Sequence, residues 1–122
     1  MYISESDKVA IRQLIEKQIQ AFQQQDEATA FSLTSPTIQK KFARQEFIKA
    51  IAEKYSAMTQ PRSIMFRGFT LINNFPALVS TVMDREGTLS QGIFIVQHQR
   101  DYSWRIHGYE LVSMDEKIIR SI

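Results

Sequence analysis

A chain of 122 residues and 14.2 kDa, with 43% hydrophobic and 23% charged residues, has the size and composition of one folded globular domain. Its net charge of +2 comes from scattered lysines and arginines, which argues against nucleic-acid binding. The absence of cysteine excludes disulfides, thiol chemistry and cysteine-ligated metals. We therefore expect one domain over residues 1–122.

The beginning of the chain predicts a long amphipathic helix. Ser4 and Asp7 have the spacing of a capping box, with aspartate in place of the usual glutamate or glutamine. Apolar residues then recur at steps of three and four, at Ile11, Leu14, Ile15, Ile19 and Phe22. The opposite face is polar, as expected for a helix that covers a core.

Shorter helices are predicted next. Asp26 is placed to cap a helix that ends before Ser35, and Ser35-Pro36 predicts the start of another helical turn. A further helix is predicted from Arg44, with an apolar stripe made of Phe47, Ile48, Ile51, Ala52 and Tyr55.

After Pro61 the apolar period changes to two, which predicts strands. The predicted strands cover Ile64 to Ile72, Ala77 to Met83, Leu89 to Gln99 and Ser103 to Val112. Gly68 inside the first predicts a bulge or bend, and the segment from Met114 to Ile122 is expected to be a short helix or a tail. The fold class is therefore α+β, a two-layer cone with N-terminal helices packed on a curved antiparallel sheet of about four strands.

The amino terminus lacks the basic segment and apolar run of a signal peptide, and no apolar stretch has the length that spans a bilayer. We expect a cytoplasmic protein without a membrane partner.

Strict alternation along the last strand divides its side chains between two faces. Trp104, Ile106, Gly108, Glu110 and Val112 form the more apolar set, which we expect to face inward. Glu110 then points toward the cavity, where it is the first candidate for a catalytic base or, alternatively, the partner of an arginine. Tyr55 and Arg67 are candidate donors to an anionic ligand. The predicted ligand pocket consists of Tyr55, Phe66, Arg67, Trp104 and Glu110.

The opposite face of this strand is the predicted partner face, made of His98, Arg105, His107, Tyr109 and Leu111. His98 and His107 lie on adjoining strands, but no acidic residue or further histidine stands at metal-ligand spacing. We expect no metal and no cofactor.

Four segments resemble the uncharacterised bacterial family called domain of unknown function 4864, in the nuclear-transport-factor-2-like superfamily. They are Ile15 to Phe22 with Asp26 and Phe31, Ser35-Pro36-Thr37-Ile38-Gln39 with Phe42, Pro61-Arg62-Ser63-Ile64 with Phe66, and Ser103-Trp104-Arg105-Ile106 with Gly108. The resemblance covers most of the chain and implies a cone-shaped fold, while the family's own activity is not established.

Superfamily members include isomerases, dehydratases, epoxide hydrolases and non-catalytic association domains, often dimeric through the sheet. In several of the enzymes that this chain resembles, the strand beginning Trp-x-Ile carries pocket-facing polar residues two and four positions after the isoleucine. Those positions are Gly108 and Glu110 here, and the glycine favours binding over catalysis. We therefore expect a non-catalytic domain that binds a small apolar or anionic molecule or a protein, and forms a homodimer. The alternative is a small-molecule isomerase or lyase with Glu110 as base and Tyr55 or Arg67 stabilising negative charge.

Overall fold

The computed structural model of the protein describes residues 3–114, in which helices precede strands as the sequence predicts. The helices are α1 (Glu5–Gln23), α2 (Glu27–Ser32), α3 (Pro36–Lys41), α4 (Arg44–Lys54) and α5 (Ser56–Thr59). The strands are β1 (Ser63–Ile72), β2 (Phe75–Met83), β3 (Leu89–His98) and β4 (Trp104–Ser113). The fold class is α+β, with the helices packed on an open antiparallel sheet.

The predicted helix starts are confirmed by their hydrogen bonds. The N–H of Asp7 donates to Ser4 Oγ and the N–H of Ser4 donates to Asp7 Oδ2, both at 3.1 Å, which completes the capping box of α1. Asp26 caps α2 by accepting the N–H of Thr29 at 3.2 Å. Ser35 caps α3, and Pro36 occupies its first turn.

The one-turn helix α5 was not predicted, because four residues are too few to show a helical period. Tyr55 ends α4 and begins α5, with φ −127° and ψ 37°. This break redirects the chain so that Met58 reaches the inner face of the sheet, where it is fully buried. A Cβ on Gly92 would lie only 3.2 Å from Met58 Cγ, so this glycine permits the close approach of α5 to β3.

The strands form one sheet in the order β1-β2-β3-β4, with every neighbouring pair antiparallel. Asn73 and Asn74 have positive φ in the first hairpin, and Gly87 has φ 88° in the second. The predicted irregularity at Gly68 is confirmed as a register shift between Phe66 and Gly68.

The core lies between α1 and the inner face of the sheet. The five apolar residues that predicted α1 are all buried, as are those that face them from the sheet, namely Leu78, Phe94, Val96, Trp104 and Ile106. Burial of this apolar surface is the main stabilising contribution to such a domain.

The predicted division of the β4 side chains between the two faces of the sheet is correct only as far as Ile106. Ile106 lies opposite Val96, but Gly108 lies opposite Ile95, so His107 is an extra residue on β4. This β-bulge shifts the alternation by one residue and reverses the faces that follow. Tyr109 is therefore buried opposite Phe94, whereas Glu110 is exposed on the outer face.

Most of the segment from Met114 to Ile122, for which the sequence predicts a short helix or a tail, lies outside the described residues. None of the helices between residues 3 and 114 combines the length and the apolar character needed to cross a membrane.

Candidate functional site

The five residues of the predicted pocket do not meet in the structure. Glu110 and Arg67 are exposed, and Arg67 Nε donates to Thr81 Oγ1 at 3.0 Å on the outer face of the sheet. Trp104 is buried and Phe66 is half-buried against the core. Tyr55 lines a cleft beside α4. The predicted inward position of Glu110 is wrong, because the β4 bulge turns its carboxylate away from the core.

Tyr109, predicted on the partner face, belongs to the core instead. Its hydroxyl donates to Gln18 Oε1 at 2.6 Å, and Gln18 Nε2 donates to the carbonyl of Ala30 at 3.0 Å. Burial holds the pKa of the Tyr109 phenol well above its ordinary value, so the hydroxyl stays protonated. Leu111, also predicted on the partner face, is half-buried and packs on the same core, because the β4 bulge turns it inward as well.

His98 and Arg105 have structural contacts of their own. The His98 ring stacks on Trp104 with centroids 4.4 Å apart, and its Nε2 lies 3.2 Å from the carbonyl of Tyr102. Arg105 Nη1 donates to the carbonyl of Ser32 at 2.8 Å and that of Thr34 at 3.4 Å, at the end of α2. Both side chains therefore support neighbouring segments. His98 pairs in register with the buried Trp104, so it lies on the inner side of the sheet and its predicted place on the partner face is wrong.

Two of the segments that carry the family resemblance meet at the turn between α2 and α3. The N–H of Ser35 donates to the carbonyl of Ile106, and the N–H of Ile106 donates to that of Leu33, both at 2.8 Å. Gln39 Nε2 reaches the carbonyls of Phe31, Ser32 and Thr34 at 3.0 to 3.3 Å. These residues attach the turn to β4 at the point where the bulge begins.

Beyond this attachment, a cleft of about 330 Å³ opens between α3, α4 and β4. Its apolar wall consists of Ile38, Phe42, Phe47, Ala50 and Ile51, and its polar side chains are Thr37, Lys41, Tyr55, His107 and Tyr109. The Tyr55 and Tyr109 rings stack with centroids 5.5 Å apart, and Phe47 packs 6.4 Å from Tyr109. The cleft thus offers an aromatic floor to a small molecule.

The electrostatics of this cleft are simple. Among the described residues that line it, Lys41 carries the charge and none is an aspartate or a glutamate. His107 Nδ1 lies 2.8 Å from the buried Ser35 Oγ, and its ring packs 4.7 Å from Phe75. Burial lowers the pKa of His107, so its imidazole is neutral at neutral pH.

Other clefts have a more polar lining. One of about 390 Å³ lies between the end of α1, α4, α5 and the β2-β3 hairpin, and Asp84, Arg85 and Glu86 border it. Another, of about 360 Å³, contains Arg44 and Arg105, with Arg105 engaged at the end of α2. The α3-α4-β4 cleft combines an aromatic wall with few charges, and we therefore take it as the candidate site.

Sequence reasoning placed Tyr55 in the pocket but assigned His107 and Tyr109 to the opposite face, and it did not place Lys41 there. Lys41 reaches the cleft only through the packing of α3 beside β4, which no local pattern encodes. Gly108, a glycine inside a strand pattern, was a usable signal for the bulge. Within residues 3–114, no group of three or more histidine, aspartate or glutamate side chains is arranged to hold a metal ion.

Comparison with known proteins identifies a family. No curated protein and no solved structure gives a significant match to the chain. Residues 4–119 match the model of a family described as Domain of unknown function (DUF4864). Because this match spans nearly the whole sequence, the chain belongs to the DUF4864 family.

Proposed function

We propose that the protein is a non-catalytic domain that binds a small molecule with an apolar or aromatic body in the α3-α4-β4 cleft. The observation that carries this proposal is the aromatic wall of that cleft, formed by Phe42, Phe47, Tyr55 and Tyr109 around a volume of about 330 Å³. Clefts of this size and lining are typical of small-ligand sites.

The interior of the domain supports binding rather than chemistry. The buried polar side chains among the described residues are Gln18, Thr34, Ser35, Thr59 and Ser80, and none is an acid. Each buried side-chain nitrogen and oxygen in that part of the chain has a hydrogen-bond partner. Glu110, which the sequence predicts as the general base, is on the outer face and cannot reach a ligand in the cleft.

We also propose that the fold is of the nuclear-transport-factor-2-like kind and that the chain forms one domain and a homodimer. The outer face of the sheet supports the dimer because it is unusually apolar for an antiparallel sheet. The apolar side chains on this face, exposed or half-buried, are Met65, Val79, Met83, Leu89, Ile93, Ile95 and Val112.

Two charges on this face support the proposed dimer. Gly68, Val79, Ile93 and Glu110 lie at one level across the four strands, with Arg67 beside Gly68 at the opposite edge from Glu110. A two-fold axis parallel to the strands, between β2 and β3, would bring Arg67 of each copy over Glu110 of the other. The apolar side chains would be buried between these two ion pairs, as expected of an isologous interface.

Fluorescence titration with N-phenyl-1-naphthylamine, a neutral aromatic probe, tests the cleft. Ala50→Phe, on the exposed face of α4 that lines the cleft, should fill it and weaken binding by about tenfold or more. Ala52→Phe is the matched control, because Ala52 borders the clefts on the other side of the same helix. Absence of probe binding, or a loss confined to Ala52→Phe, would contradict the proposed site.

A further inference from the structure

The α3-α4-β4 cleft has an asymmetric charge environment. Lys41 is the last residue of α3, exposed, with Nζ 5.6 Å from the centroid of the Phe42 ring. No acidic side chain among the described residues shares the cleft with it. An anion entering the cleft would therefore meet a cation without having to displace a carboxylate partner.

His107 adds a second group that can face an anion. Its Nδ1 is paired with Ser35 Oγ at 2.8 Å, and this oxygen also accepts the N–H of Ile38 at 3.4 Å. The pairing fixes the ring and leaves Nε2 as the nitrogen available to a ligand, since within residues 3–114 no hydrogen bond engages it. Thr37, at the rim of the same cleft, supplies a neutral hydroxyl.

We propose that the cleft selects an organic acid, a molecule with an aromatic or apolar body and one anionic group, which Lys41 and His107 recognise together. This inference rests on the proposed function, because it specifies the ligand of that same cleft. The body of the ligand packs against the half-buried Phe42 and Tyr55, and its anionic group lies toward α3 and the β4 bulge.

Recognition by His107 links binding to proton uptake. The charged and titratable groups around this ring come from three elements: Lys41 from α3, Tyr55 from the end of α4, and Arg105 and Tyr109 from β4. The remaining neighbours are uncharged, namely Phe75 from β2 and the residues opposite the bulge on β3, Ile95 and Val96. Arg105 is directed to the carbonyls of Ser32 and Thr34. None of these groups is an acid that would hold His107 protonated in the free protein.

The sign of the pH effect follows from the pKa of His107 in the free protein and in the complex with the anion. In the free protein, burial lowers the pKa of His107 and favours neutral imidazole. A bound anion favours imidazolium and raises that pKa. Affinity for the anion therefore increases as the pH falls from above the pKa of the complex to below the pKa of the free protein, and then levels off.

The test compares two fluorescent probes with nearly the same aromatic body. One is 1-anilinonaphthalene-8-sulfonate, whose sulfonate stays ionised over the whole range, and the other is the neutral N-phenyl-1-naphthylamine. Between about pH 8 and about pH 5.5 we expect affinity for the sulfonate to rise by about threefold or more, and affinity for the neutral probe to stay constant.

Three variants test which side chains cause the preference for the sulfonate and its pH dependence. Lys41→Gln should weaken binding of the sulfonate by about threefold to tenfold at every pH while leaving the neutral probe unchanged. Lys40→Gln is the matched control, because it removes the same charge from the neighbouring exposed position, which does not line the cleft. His107→Asn keeps a polar group near Ser35 and should abolish the pH dependence.

The possible failures are distinguishable. If the neutral probe does not bind, the proposed function itself is wrong. If it binds but the sulfonate shows no advantage, no pH dependence, or equal sensitivity to Lys40→Gln and Lys41→Gln, then the cleft binds apolar molecules and the inference about organic acids is overturned.

Discussion

Tyr109 is the residue on which the interpretation of β4 depends most. Its buried hydroxyl donates to Gln18 of α1, and the Gln18 amide donates to the carbonyl of Ala30 in α2. Two hydrogen bonds therefore join β4 to α1 and α1 to α2. A buried network in which every member has a partner rigidifies a core, and it becomes costly when one member is removed.

Tyr109→Phe should lower the free energy of unfolding by about 1–3 kcal/mol, because it leaves Gln18 Oε1 buried without its donor. Urea denaturation followed by circular dichroism measures the change. Tyr102→Phe removes the same hydroxyl from a residue that is 83% exposed, and it should change stability by less than about 0.5 kcal/mol. Equal effects of the two substitutions would show that the network does not contribute to stability.

The β4 bulge shows which part of the site could be predicted from the sequence. Periodicity correctly predicted that Trp104 and Ile106 face the core, because local alternation is a reliable property of an unbroken strand. It failed at Glu110, because the extra residue His107 is visible only in the pairing with Ile95 and Val96. Gly68 predicts a bulge or bend in β1, and a register shift is found there; Gly108 carries the same signal in β4.

Among the elements, the turn between α2 and α3 attaches α3, one side of the cleft, to β4. Gln39 Nε2 lies within hydrogen-bond distance of the carbonyls of Phe31, Ser32 and Thr34, and Arg105 donates to the last two, so both side chains hold the turn that follows α2. The helices themselves were predictable from caps and periodicity. The position of α3 beside β4 could not be predicted from the sequence, because it depends on these long-range hydrogen bonds.

Gln39→Glu should destabilise the domain by about 1–2 kcal/mol at neutral pH, because it replaces an amide donor with a carboxylate facing carbonyl oxygens. Thermal unfolding measures the effect. Gln45→Glu is the control, because Gln45 is exposed in the first turn of α4, where a negative charge is favourable. A Gln39→Glu protein as stable as the Gln45→Glu protein would contradict the role assigned to this turn.

At the scale of the whole molecule, the two faces of the sheet differ in their exposure. The inner face forms the core with α1, and the outer face carries exposed Met65 and Leu89 with Arg67 and Glu110 at opposite edges. Of the residues predicted on the partner face, Tyr109 and Leu111 lie on the inner face because the β4 bulge reverses the alternation, and His98 lies on the inner side with Trp104.

Charge reversal tests the proposed dimer. Arg67→Glu and Glu110→Arg should each weaken self-association, because each places like charges opposite one another, while the double variant should restore it. Sedimentation equilibrium measures the association constant, and we expect about tenfold weakening or more for each single variant. A wild-type protein that is monomeric at all concentrations, or a double variant no stronger than the singles, would contradict this interface.

The central claim is that the α3-α4-β4 cleft binds a small organic molecule, and backbone amide chemical shifts measured during titration with 1-anilinonaphthalene-8-sulfonate test it most directly. We predict that the largest shifts occur at Lys41, Tyr55, His107 and Tyr109, and that they saturate together. Shifts concentrated instead around Val79 and Ile93 on the outer sheet face, or around Asp84 and Arg85 in the hairpin cleft, would contradict the claim.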